Sequence, residues 1–569
     1  MKKTLINKYI LFVLGLAIMG CSDSFLEKKP QGVLGADVLA NQNGAELALI
    51  GAYSMLDGFN DGNNVWPAAP QNWLLGSVPT DDAYKGTEAN DMPEGTLLEL
   101  YQWSSTNILF NQKYVALYEG VARANATINL INAAEDIADA DRNRLLGEAT
   151  FLRGYYHFEL WKVWGNVVYM YEDDADFSKP NNASTDAGAA EVIANVIADF
   201  ESAAGLLPAT QGDIGRATST AARAMAGKAH MHAGNPSAAE PHLSAANAAG
   251  TLSPCLRDVF HTSTENAGDY IFSVQASIND GGNSRNGNWL NQLAYPSGPV
   301  FGCCGFHQPS QNLVNAYKVD GAGLPLLDGS FDDTELDPGT DTVDPRLDLT
   351  VGRDDVPFWD WDVHAPDWIR DRAYAGPFSP KKVIHYAADP VGSGGWNNNA
   401  YNAINFPIIR LADVKLLLAE AIVASDPDGA QALVNEVRAR AAACSQGPLG
   451  ASGSAVVLPG MAAQAWATYD VQQYPAGYFA ADAARAVDAI RMERRLELAL
   501  EGHRMFDLQR WGIAADVLNA YTASEVSRRA YYSDARPFED RHRWYPLPAS
   551  QVELSRVDGT PTLTQNTGW

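Results

Sequence analysis

The segment Ile490-Arg-Met-Glu-Arg-Arg-Leu-Glu-Leu-Ala-Leu-Glu-Gly-His-Arg504, followed by Phe506-Asp-Leu-Gln-Arg-Trp-Gly512, sets dense alternating charge beside leucines. Glu493, Arg494, Arg495, Glu497, Glu501 and Arg504 crowd it, while Leu496, Leu498 and Leu500 belong in a core. Arg494 and Glu497 stand three apart, as do Glu501 and Arg504, a spacing at which helix neighbours meet. Clustered carboxylates can suggest acid–base chemistry. The leucines beside them favour ionic latches between packed helices instead. A helix over 481–511 is predicted.

Upstream, Arg410-Leu-Ala-Asp-Val-Lys-Leu-Leu-Leu-Ala-Glu-Ala421 and Leu433-Val-Asn-Glu-Val-Arg-Ala-Arg-Ala441 carry helical periodicity, so helices are predicted over 407–424 and 427–443. The same spacing of apolar residues predicts helices over 44–57, 111–134, 140–164, 188–206, 217–233 and 236–249. The last two are separated by Gly234-Asn235-Pro236, a stop followed by a start. Alanine and glycine at the crossings suggest antiparallel hairpins like those of tetratricopeptide proteins, although no clean repeat of about 34 residues is visible. The fold class is therefore mainly α. From 251 to 406 Gly, Asn, Asp, Pro and aromatics take over, with short strand-like runs such as Tyr270-Ile-Phe-Ser-Val274. A loop-rich insertion on a helical scaffold is a binding architecture, and its aromatics read as ordered surface.

A net charge of -27 argues against nucleic-acid partners, and 46% hydrophobic content with 14 tryptophans argues against disorder. Lys2, Lys3 and Lys8 precede an apolar stretch, Tyr9–Met19, too short to span a bilayer, which ends in Ile18-Met-Gly-Cys21. This resembles a lipobox with Cys21 as the lipidated residue. No aspartate follows it directly, so outer-membrane sorting is permitted. Cys255, Cys303, Cys304 and Cys444 form no recognisable disulfide framework. The adjacent pair either closes a vicinal disulfide or stays as two thiols in a turn. No zinc-ligand spacing, phosphate loop or Gly-x-Ser-x-Gly is present, so no metal, cofactor or catalytic residue is expected. Asp280, Asn283, Asn286, Asp332 and Asp333 lack the spacing of a calcium loop and read as solvated polar loops.

Taken together, these segments resemble the SusD/RagB family of surface glycan-binding lipoproteins of Bacteroidetes, over essentially the whole mature chain. Besides those quoted, Cys21-Ser-Asp-Ser-Phe-Leu-Glu-Lys-Lys-Pro30 is similar to the family's start. Gly147-Glu-Ala-Thr-Phe-Leu-Arg-Gly-Tyr-Tyr-His-Phe158 is similar to its first helical motif, and Tyr545-Pro-Leu-Pro548 and Gln565-Asn-Thr-Gly-Trp569 to its end. The resemblance implies a SusD-like fold and a division into a lipoprotein signal peptide (1–20), an N-terminal helical region (21–250), a variable glycan-binding region (251–406) and a C-terminal helical region (407–569). It implies a protein that catalyses nothing, anchored by lipid on the outer face of the outer membrane. Such a protein captures oligo- or polysaccharide and hands it to a SusC-like TonB-dependent transporter. A peptide- or host-ligand-capturing lid is the nearest alternative, and a glycoside hydrolase the one from another class.

Sugars present flat C–H faces edged with hydroxyls, so sites pair aromatic platforms with Asn, Asp and Arg. The regions that contact ligand in the family correspond here to the loop holding Trp66, Trp73, Asp81, Asp82 and Tyr84, and to the stretch holding Arg285, Asn288, Trp289 and Tyr295. Trp359, Trp361, Trp368, Trp396 and Tyr401 are further candidates. In Trp359-Asp-Trp361 the two rings would share one side of an extended segment. For each aromatic, core packing is the competing explanation.

Overall fold

A computed structural model describes residues 36–58, 66–174, 178–281, 286–288, 293–392, 401–444 and 466–569. Cys21, Arg285, Trp289 and Trp396 lie outside them. Helices α1 (Gln42–Tyr53), α2 (Ile108–Ala133), α3 (Asp139–Trp164), α4 (Thr185–Leu206), α5 (Ser219–His232) and α6 (Pro236–Asn247) each pack on the next. Helix α6 packs on α7 (Leu411–Ile422), which contacts α8 (Pro427–Ala442) and α9 (Ala483–Leu498). Side-chain caps start many of them: Asn41, Asn107, Thr218, Asp426 and Asp482 each accept from a first-turn backbone N–H. The helices approach closely where small residues cross. A Cβ on Gly120 of α2 would lie 2.7 Å from the Tyr156 ring of α3.

Four of the short strands are β1 (Ala83–Gly86), β2 (Tyr270–Val274), β3 (Phe306–Pro309) and β4 (Phe406–Arg410), and β2 and β4 position the site. Strand β1 pairs antiparallel with β3, and β2 with β4. The helix expected to start at 407 therefore starts after β4. Its first residues are spent on the sheet, and the Leu411 N–H donates to the Asp269 carbonyl at 2.8 Å.

The expected helix over 481–511 is also interrupted. Leu500 (φ 64°) and Gly502 (φ 77°) reverse the backbone, and α10 (Arg504–Arg510) begins a new axis. Only glycine fits at 502, where a Cβ would lie 1.9 Å from the Gln71 carbonyl oxygen. The break separates Glu501 from Arg504, and neither of the three-apart pairs forms. Partners come from other elements instead. Glu493 accepts from Arg346 at 2.7 Å and Arg438 at 2.9 Å, and Glu501 from Arg410 and Lys382. Arg494 holds Asp413 and Asp507, Arg495 holds Asp82, and Arg504 holds Asp81. These are the ionic latches expected of the motif, made between elements rather than within the helix.

Among the described residues two disulfides cross-link the chain. Cys255–Cys444 ties the insertion to the end of α8, with Cα atoms 5.1 Å apart, and Cys303–Cys304 is vicinal. The first corrects the reading of the cysteines as forming no framework. No spacing signal links residues separated by 189 positions. The insertion also has a core of its own: Tyr295, Phe301, Phe358, Trp359, Trp368, Tyr386 and Ile404 cluster with Cys255 and Cys444. Much of its aromatic content is thus internal rather than surface.

Candidate functional site

The end of α1, the turn before α5, the exit of β2 and residues 286–288 and 404–406 converge on an open cleft of about 520 Å³. Behind its wall, the motif at 147–158 anchors two of the lining residues, Tyr53 and Arg216. Glu148, fully buried on α3, accepts from the Tyr53 hydroxyl at 2.7 Å, from Arg144 at 2.9 Å and from Arg216 at 3.3 Å. Burial and the neighbouring Glu148 push the Tyr53 phenol well above its ordinary range, so it remains a neutral donor. On the same side, Arg123 of α2 pairs with Glu119 and donates to the Gly51 carbonyl and the Ser54 hydroxyl, both at 3.1 Å, and is about one-third exposed.

Amides line the opposite side. Gln275 and Asn286 are exposed, whereas Asn288 is buried and donates from Nδ2 to the Ile404 carbonyl at 2.6 Å. The Asn288 Oδ1 atom has no hydrogen-bond partner among the described residues. A buried acceptor without a donor costs free energy, and a ligand hydroxyl would satisfy it. Ile50 and Ile214 form an exposed apolar rim, with Phe406 beneath. Guanidinium and amide groups around an apolar floor match the hydroxyl edge and C–H face of a sugar.

A second groove, about 630 Å³, runs between α2 and the segments near 170 and 554. Polar side chains of both are engaged, here Tyr118 with the Val168 carbonyl, Asn125 with that of Met170 and Asn129 with that of Glu172, and the two differ in the Asn288 acceptor. The first cleft offers the unmet acceptor, and we take it as the candidate site.

Of the candidates named from sequence, Asn288 lines this cleft. Trp73, Asp82, Tyr84, Tyr295 and Trp359 do not, and their burial removes them as ligand platforms. Trp73 packs edge-on to Phe306, and Asp82 is held by Arg495 at 2.8 Å. Tyr84 donates to Glu525 beside Tyr532, and the Tyr295 hydroxyl is shared with His385 and Asn402. Trp359 lies under Lys381 and Tyr386. Trp359 and Trp361 sit in a tight hairpin between Pro357–Phe358 and Asp362–Val363, with Trp359 at φ 51°, so the extended geometry that would align their rings is absent. Trp368 is buried as well. Trp66, Trp361 and Tyr401 are half-buried, and Trp361 leans on Phe301 with its Nε1 donating to the His385 carbonyl at 2.8 Å. Arg123, Arg216 and Gln275 escaped sequence reading because they come from distant elements and share no spacing.

The model of the SusD family matches residues 268–569, and one described as starch-binding associating with outer membrane matches 40–231. A SusD-like protein of Formosa agariphila, P38, is 24% identical over 528 residues, 89% of this chain and 92% of its own. A SusD superfamily protein of Bacteroides vulgatus superposes with a TM-score of 0.67 at 21% identity, covering 93% of this chain and 99% of its own. Surface glycan-binding protein A of Bacteroides thetaiotaomicron, solved with laminarihexaose, gives 0.65 at 19% identity, covering 92% and 99%.

Proposed function

The chain belongs to the SusD family, and from that footing we propose that it is a non-catalytic surface lipoprotein that captures oligo- or polysaccharide and delivers it to a SusC-like TonB-dependent transporter. Lipid on Cys21 holds it to the outer face of the outer membrane. The observation that carries the binding role is the polar cleft, lined by guanidinium and amide groups and by the buried Asn288, whose Oδ1 has no partner among the described residues. Its walls are fixed by buried hydrogen bonds, which suits capture of a ligand without rearrangement. The structural neighbour solved with laminarihexaose makes β-glucan the first probe to try.

Gentle detergent extraction followed by pull-down tests the delivery role and is expected to recover a SusC-class barrel in near-stoichiometric amount. A protein that always purifies alone contradicts it. Cys21→Ala is expected to leave the membrane fraction while remaining folded; unchanged membrane association contradicts the anchor.

A further inference from the structure

On the helical scaffold, away from the cleft residues, Glu201 of α4, His230 of α5 and His242 of α6 bring their side chains to one point. The sharp Gly234-Asn235-Pro236 turn sets the last turn of α5 against α6, so the two imidazoles lie nearly parallel, 5.6 Å apart. Both Nε2 atoms face the same carboxylate oxygen, Glu201 Oε1, at 3.1 Å and 3.3 Å. An ion with bonds of about 2.0–2.1 Å in tetrahedral array separates adjacent ligand atoms by roughly 3.3–3.4 Å, which these distances match. Glu201 is 46% exposed while the histidines are 12% and 18% exposed, so the cluster opens to solvent on the carboxylate side.

We propose that Glu201, His230 and His242 form a divalent transition-metal site that takes Zn2+, with water in the fourth position. Two imidazoles and one carboxylate are the donor set that borderline ions of this class prefer over calcium or magnesium. Because the ligands come from three consecutive helices, a bound ion cross-braces α4, α5 and α6. Neither Nδ1 atom has a hydrogen-bond partner among the described residues, so the imidazoles lack outer support. Affinity is accordingly expected in the micromolar range, below that of closed structural zinc sites.

The test is isothermal titration of the tag-free, chelator-treated mature chain with Zn2+, together with thermal unfolding at saturating metal. Glu201→Gln keeps an oxygen that accepts from an imidazole N–H but is a poor metal ligand, and His242→Ala removes a ligand from a partly exposed position. One equivalent bound by the wild type, a Zn2+-dependent rise in Tm, and at least tenfold weaker binding by both folded variants are expected. No stoichiometric binding, or equal binding by wild type and variants, overturns the proposal and leaves the cluster as hydrogen bonds alone.

Discussion

Arg410 donates from Nη1 to Glu497 Oε1 at 2.7 Å and from Nη2 to the Glu497 carbonyl oxygen at 3.0 Å. One guanidinium at the end of β4 thereby holds both the side chain and the backbone of the last turn of α9. Arg346 and Arg440 reach the same carboxylate. Burial alone would raise the Glu497 pKa, but Arg440, Arg410 and Arg346 outweigh it and hold the carboxyl well below the usual carboxylate range. The point where insertion and C-terminal helices join is therefore an ionic knot, in which each partner is costly to remove alone.

Glu497→Gln is expected to lose about 3–5 kcal/mol at pH 7, because it leaves buried guanidinium groups without a counter-charge. A carboxyl whose pKa folding depresses stabilises the fold fully above its unfolded value, about 4.5, and that contribution is lost as pH falls toward the folded value. The difference from wild type should therefore shrink below pH 4.5. Urea unfolding at pH 7 and near pH 3.5 reads this, and an equal deficit at both contradicts it.

The Cys255–Cys444 bridge closes a loop of 189 positions. Loop entropy makes its loss cost roughly 2–5 kcal/mol. Cys255→Ser/Cys444→Ser is expected to lower Tm and to abolish any difference between oxidised and reduced samples that stems from this bridge. If the double variant melts as wild type does, the bridge contributes nothing to stability.

Trp359, 2% exposed, packs in the insertion's core. Trp359→Ala should cost about 3–5 kcal/mol, whereas the half-buried Trp361→Ala should cost less. Thermal unfolding of both compares them. A stable Trp359→Ala protein with impaired glycan binding would restore the platform that burial argues against.

Local signals carried the scaffold well. The apolar spacing over 427–443 corresponds to α8 at Pro427–Ala442, and the Gly234–Pro236 break falls between α5 and α6 as read. Tertiary context decided the rest. Phe406–Arg410 is apolar enough for a helix start, and only its pairing with β2 makes it a strand. Leu500 has a positive φ that nothing in its residue type announces. Neither aromatic density nor a regional resemblance separates surface from core: Tyr84 and Tyr295 fall in the stretches that match the family's ligand-contacting regions, and both lie inside. The cleft gathers residues from elements far apart in sequence, and the Glu201–His230–His242 cluster forms only where three consecutive helices pack, so no local spacing encodes either.

The central claim, glycan capture without cleavage in the α1–β2 cleft, is tested most directly by isothermal titration of the mature chain with laminarin and a panel of soluble polysaccharides, alongside a reducing-sugar assay. The comparison variant is Arg123→Ala/Gln275→Ala, which removes a half-buried guanidinium and an exposed amide of the cleft, with thermal unfolding alongside to establish that it stays folded. The account predicts saturable binding of at least one glycan by wild type, no reducing ends released, and about tenfold weaker binding by the double variant, near 1.4 kcal/mol. Binding undiminished in the folded double variant, or glycan cleaved by the purified protein, would contradict it.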